Sequence, residues 1–113
     1  MFVDNFRICE WGDEHREVVK PEDTEPIEAE LFCYKNIALA VHKSGIYFRV
    51  SEYFTGHSIN GSTSNTQIES ISCAMDMLDS FPEDYTDKRI KKCIEMHGKY
   101  NSDFPALKRE IKL

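Results

Sequence analysis

Residues 37–81 read IALAVHKSGIYFRVSEYFTGHSINGSTSNTQIESISCAMDMLDSF, and in this stretch hydrophobic period, turn residues and helix-capping signals agree. Ile37, Leu39 and Val41 alternate with Ala38, Ala40 and His42. After Lys43, Ser44 and Gly45 the alternation resumes, with Ile46, Phe48 and Val50 against Tyr47, Arg49 and Ser51, which predicts a β-hairpin. Thr55 and Gly56 turn the chain, residues 57–60 read as a short third strand, and Gly61 breaks it ahead of the polar run 62–66.

That run leads into a helix. Ser64 with Gln67, or alternatively Thr66 with Glu69, has the spacing of a capping box, in which each side chain satisfies a backbone N–H left free at the helix start. Ile68, Ile71, Met75 and Leu78 follow at three- and four-residue steps with Ala74 beside them, while Glu69, Asp76 and Asp79 lie off this stripe. The stripe is expected to pack on the sheet. Burial is worth roughly 1.5–3 kcal/mol per side chain, so the stripe matches the whole stability of a small domain.

Working outward, residues 1–11 place Phe2, Phe6 and Ile8 on one alternating face, a first strand ending in a turn at Trp11, Gly12 and Asp13, after which residues 14–20 return beside it. Trp11 is either a partner-facing anchor or the plug at one end of the core. Residues 21–26 form a breaker-rich acidic loop. Ile27, Ala29, Leu31 and Cys33 then alternate with Glu28, Glu30, Phe32 and Tyr34, which reads as a strand, a helix starting near Thr24 and Pro26 being the other option. Asp84 or Thr86 opens a second helix to about His97, with Ile90, Cys93, Ile94 and His97 inward, Lys88, Arg89, Lys91 and Lys92 outward, and Gly98 as its stop. The tail closes with a last helical turn or a frayed end at 107–113.

The expected architecture is α+β: a small antiparallel β-sheet with two α-helices packed on one face, residues 1–113 forming a single domain with one core. Forty-one per cent hydrophobic and 30% charged residues are ordinary globular values, and no run approaches the roughly 20 apolar residues of a membrane span. The start Met1-Phe2-Val3-Asp4 lacks a basic region and an apolar core, which points to the cytoplasm. Cys9, Cys33, Cys73 and Cys93 contain no C-x-x-C pair and read as free thiols. Cys93 and His97 stand one helical turn apart and could share a metal only with a third ligand such as His57, so no metal or other cofactor is expected.

The net charge of −6 is unevenly spread. Residues 10–30 hold nine carboxylates against Arg16 and Lys20, a local balance of −7, whereas residues 81–113 hold eight Lys and Arg against six Asp and Glu. The acidic run, Glu10, Asp13, Glu14, Glu17, Glu22, Asp23, Glu25, Glu28 and Glu30 together with Trp11, is the candidate partner-binding surface. Such a field steers a basic partner and opposes nucleic acid. Lys88, Arg89, Lys91 and Lys92 are the candidate phosphate-gripping residues of a second reading.

For catalysis a chain needs a nucleophile with a base, paired carboxylates, a phosphate-cradling loop or a metal. None stands out. Gly56 and Gly61 flank His57-Ser58-Ile59-Asn60, which is not a G-x-S-x-G elbow, and His57 in a polar turn reads as a solvent-exposed side chain. The expectation is therefore a binding protein and not an enzyme.

The run Phe48-Arg49-Val50-Ser51-Glu52, Thr55-Gly56, Ile59 and Gly61-Ser62-Thr63, followed by a helix with Ile68, Ile71 and Leu78, resembles a layout common in small phage and mobile-element proteins. It is also similar to the small lobe of HicB-type antitoxins. Either resemblance covers about a third of the chain, and both imply a small protein that binds and blocks a larger one. The phage resemblance implies host defence evasion, with a bacterial defence protein such as a CRISPR effector as target, as for anti-CRISPR proteins, in the host cytoplasm. The second reading is a nucleic-acid-associated regulator or antitoxin-like protein using the basic residues of 88–92. The partner would be a larger protein with a basic surface, and the unpaired edge of a small sheet leaves a homodimer open.

Overall fold

The computed structural model describes residues 1–9, 19–102 and 104–105. The expected turn at Trp11, most of the return at 14–20 and the last turn at 107–113 lie outside these residues. Four antiparallel strands, β1 (Phe2–Phe6), β2 (Ile27–Tyr34), β3 (Ile37–Ser44) and β4 (Tyr47–Glu52), pair in the order β1-β2-β3-β4. Two helices, α1 (Gln67–Ser80) and α2 (Tyr85–His97), complete the expected α+β fold. No helix among the described residues is long and apolar enough to cross a membrane.

The β2–β3 turn is Lys35-Asn36, both with positive φ (50° and 64°), the geometry a two-residue type I′ hairpin requires. Between β3 and β4 the register pairs Ser44 with Tyr47, leaving Gly45 (φ 65°) and Ile46 as the turn. Ile46 is accordingly 85% exposed and does not continue the apolar face of Phe48 and Val50, contrary to the alternation read from sequence.

Both faces of the sheet are covered. On one, Phe32, Ile37, Leu39, Val41 and Val50 pack against Ile71, Ala74 and Leu78 of α1, and Ile90 of α2 packs against the same cluster. On the other, Phe6, Ala29, Leu31, Ala38 and Ala40 surround Tyr53, with Phe54 and Phe104 closing over it. The single core expected from the sequence is thus two clusters separated by the sheet. Small residues at 38 and 40 leave room for the rings of Phe6 and Tyr53, 5.9 Å apart.

Three further expectations are corrected. Phe2 does not share a face with Phe6: a bulge between Val3 and Phe6 shifts the register, so Phe2 lies opposite Glu30 and is 68% exposed. Ile68 does not join the α1 stripe and is 69% exposed, because its place at the sheet side is taken by buried Ser70, whose hydroxyl donates to the Ser62 carbonyl. Residues 57–60 are no strand. After one bridge, Ser51 to Ser58, the chain turns away and the Ser62 hydroxyl, not a backbone carbonyl, accepts from Val50 N–H at 3.1 Å. Ser64 then exchanges both backbone bonds with Phe48. The outer edge of β4 is therefore satisfied by an irregular segment, and β1 is the outermost strand on the other side of the sheet among the described residues.

At α1 the second capping alternative is the one used: Thr66 Oγ1 accepts from Glu69 N–H, and Glu69 accepts from Ser64 Oγ. α2 follows Asp84 (φ 66°) and ends at Gly98 (φ 78°). Its expected inward residues Ile90, Cys93, Ile94 and His97 are half-buried and its four basic residues exposed, so the face assignment holds with no residue fully buried.

Candidate functional site

The described part of the acidic run gathers near the end of β1. Arg7, just past β1, donates to the carbonyls of Pro21 and Thr24 and so ties the 3-10 turn Pro21–Asp23 to the end of β1. This places Glu22, Asp23 and Glu25 beside the strand edge, with Glu28 on the adjoining β2, and all four are exposed. The one ion pair among the described residues joins Lys35 to Asp79, so none of the four has a described cationic partner. Glu30 differs: it is half-buried and accepts from Gln67 Nε2, which commits it to the start of α1. Glu10, Trp11, Asp13, Glu14 and Glu17 lie outside the described residues.

A second feature, not anticipated from the sequence, is a groove of about 850 Å³ where β4, the 57–60 segment and α2 meet. Arg49 on β4 and Arg89 on α2 line it, with Glu52 as the one carboxylate among the described lining residues. Glu52 is buried, and its two oxygens accept from the N–H groups of Phe54 (3.0 Å) and Thr55 (2.7 Å). Burial lifts its carboxyl above the usual range, against the opposing pull of these backbone donors.

At the base of the groove His42 Nε2 lies 2.8 Å from Ser51 Oγ, and His42 Nδ1 lies 3.2 Å from the Lys43 carbonyl. A carbonyl only accepts, so Nδ1 carries the proton and Nε2 accepts from the Ser51 hydroxyl. Burial holds His42 below its ordinary pKa. The arrangement has the polarity of a base and a hydroxyl, but both residues are closed to solvent, at 3% and 0% exposure, so here it satisfies buried polar groups on the face of Phe6.

His57 is half-buried and not the solvent-exposed side chain its polar turn implies. Its Nε2 is shut from solvent without a hydrogen-bond partner among the described residues. Its ring lies 6.3 Å from that of His97. Burial first, then the charges of His97 and Arg89, hold it below its ordinary pKa. Cys93 also lines the groove, yet no group of three or more metal-ligating side chains able to hold an ion occurs among the described residues. Lys88, Lys91 and Lys92 stay on the exposed face of α2, and Arg89 leans over the Tyr85 ring, its Cζ 5.9 Å from the centroid.

The groove escaped the sequence because its walls come from segments far apart in the chain. One signal was available: His42 falls among Ala38 and Ala40 on an inward-facing period, and a buried histidine needs a polar partner, which Ser51 on the neighbouring strand supplies. Fold and site together define a small α+β protein with exposed carboxylates near the end of β1 and a groove lined by two arginines. In comparisons with protein-family models, curated proteins and solved structures, nothing matches this chain.

Proposed function

We propose that the protein is an acidic protein-binding inhibitor of a nucleic-acid-handling protein, the target class implied by the sequence resemblance being a bacterial defence protein such as a CRISPR effector. The observation that carries this reading is the exposed set Glu22, Asp23, Glu25 and Glu28 near the end of β1, with no described ion-pair partner. Carboxylates held in that way present a basic channel with what it normally finds on a phosphate backbone, and they steer association over roughly a Debye length, about 8 Å at physiological salt. The place of action on this reading is the cytoplasm.

The test is a tagged pull-down from bacterial lysate at low and high salt, with and without nuclease, repeated with Glu22, Asp23, Glu25, Glu28 and Glu30 changed to Lys. A protein partner that survives nuclease, is lost at high salt and is lost by the variant is the expected result. Retention by the charge-reversed variant sinks the proposal. Recovery of nucleic acid alone moves the function to the second reading, a regulator using Lys88, Arg89, Lys91 and Lys92, which their exposure on α2 favours.

A further inference from the structure

We propose that the groove between β4, the 57–60 segment and α2 binds a nucleoside monophosphate, with the phosphate at Arg89 and the base against Tyr85. The volume of about 850 Å³ falls within the range of roughly 300–1,000 Å³ typical of small-molecule sites. In a chain of net charge −6 the groove runs against the trend. Its two guanidinium groups face one carboxylate, Glu52, whose oxygens are turned to the backbone of Phe54 and Thr55. Asp84 and Asp87, on the first turn of the same helix, do not line it. Among the described residues the wall therefore offers positive charge and hydroxyl donors without a free acceptor charge, the balance a phosphate group requires.

The floor points the same way. His57 has a ring nitrogen with no described partner, and its protonation is opposed by burial and by the nearby His97 and Arg89 charges. An anion at Arg89 cancels part of that repulsion and favours the imidazolium. Tyr85 is 38% exposed, and its ring lies under the Arg89 guanidinium, Cζ 5.9 Å from the centroid, and is braced by Phe81, with centroids 4.8 Å apart. A partly exposed aromatic face next to a guanidinium is suited to a base attached to a phosphate, because stacking on an aromatic ring tolerates any base. Thr86, Ser58 and Asn60 add polar groups along the wall for a ribose. This inference does not rest on the acidic edge, and failure of either leaves the other untouched.

The experiment is an NMR titration of the full chain with AMP and, separately, with inorganic phosphate, following backbone amides and the histidine rings. Saturable shifts at Tyr85, Arg89 and His57 with AMP are expected, with inorganic phosphate at least tenfold weaker and His57 titrating at higher pH in the AMP complex. Arg89→Ala, an exposed position, is expected to weaken AMP at least tenfold, and Lys92→Ala, on the same helix but outside the groove, less than twofold. No saturable binding, equal affinity for inorganic phosphate, or equal losses in the two variants would each overturn the proposal.

Discussion

The side-chain amide of Asn101 bonds both backbone groups of Arg7, 94 positions away in the chain: Oδ1 accepts from Arg7 N–H at 2.8 Å and Nδ2 donates to the Arg7 carbonyl at 2.8 Å. Nδ2 also donates to the Tyr53 carbonyl at 2.8 Å. Asn101 thereby stands in for a strand residue beside the extension of β1 and holds the tail against the second core cluster. Asn101→Ala removes these bonds from one buried backbone group, the Tyr53 carbonyl, and two part-buried ones at Arg7, and a buried group left unmet costs roughly 1–3 kcal/mol. The expected loss is at least the lower end of that range in urea unfolding, with early exposure of the Phe104 region to protease. An unchanged midpoint would show that the clamp carries no stability.

Gly56 adopts φ +68°, and a Cβ there would stand 2.7 Å from both the Arg7 carbonyl oxygen and the Cys9 nitrogen. Its own carbonyl accepts from Cys9 N–H at 2.9 Å, so the close approach is part of the pairing. Gly56→Ala is expected to cost about 1–2 kcal/mol from the left-handed backbone alone, with the contact adding to it. Gly45, which has the same sign of φ but open space around it, separates the two effects: Gly45→Ala is expected to show the backbone cost only. Equal losses at the two positions would refute the contact.

Helix α1 supplies a paired comparison of core and surface. Leu78 is 5% exposed within the helix-side cluster, whereas Ile68 is 69% exposed. Leu78→Ala is expected to cost about 2–5 kcal/mol. Ile68→Ala, on the same helix, should stay within about 0.5 kcal/mol. Denaturant midpoints decide it, and a large effect at Ile68 would mean that this side chain is covered in solution.

Stability should fall on mild acidification. His42 and His57 are both held, chiefly by burial, below the ordinary value of 6.5. The unfolded chain therefore takes up their protons first, and the stability present above that value is lost as the pH drops through and below it. Glu52 acts in the opposite sense: its carboxyl is raised above the ordinary 4.5, so its contribution is present below that value and lost as the pH rises through the folded one. Urea unfolding at pH 7.5, 6.5 and 5.5 is expected to show falling midpoints, with a shallower fall for His42→Gln. An identical slope in that variant would remove His42 from the account.

Much of the helix-side architecture was legible because it follows from short-range rules. The 2.0-residue period of 37–42, the alternation of 27–34, the Thr66–Glu69 cap and the stop at Gly98 are each set within a few residues, and the strands and helices appear where those signals place them. Periodicity misled where a partner outside the segment chose the face. Ser70 displaced Ile68 because the Ser62 carbonyl needed a donor, and a bulge sent Phe2 to the opposite face from Phe6.

By itself the sequence determined the class of fold, the strand and helix segments and the uneven distribution of charge, since these depend on residue type and spacing along the chain. Only the tertiary structure decided that the sheet has a core on each face, that Arg7 ties the turn carrying Glu22 and Asp23 to the end of β1, and that Arg49, Glu52, His57 and Arg89 share one groove. Each of those outcomes joins residues tens of positions apart. Such contacts carry no local signature, because their energy appears only once the backbone has brought the groups together and water has been excluded between them.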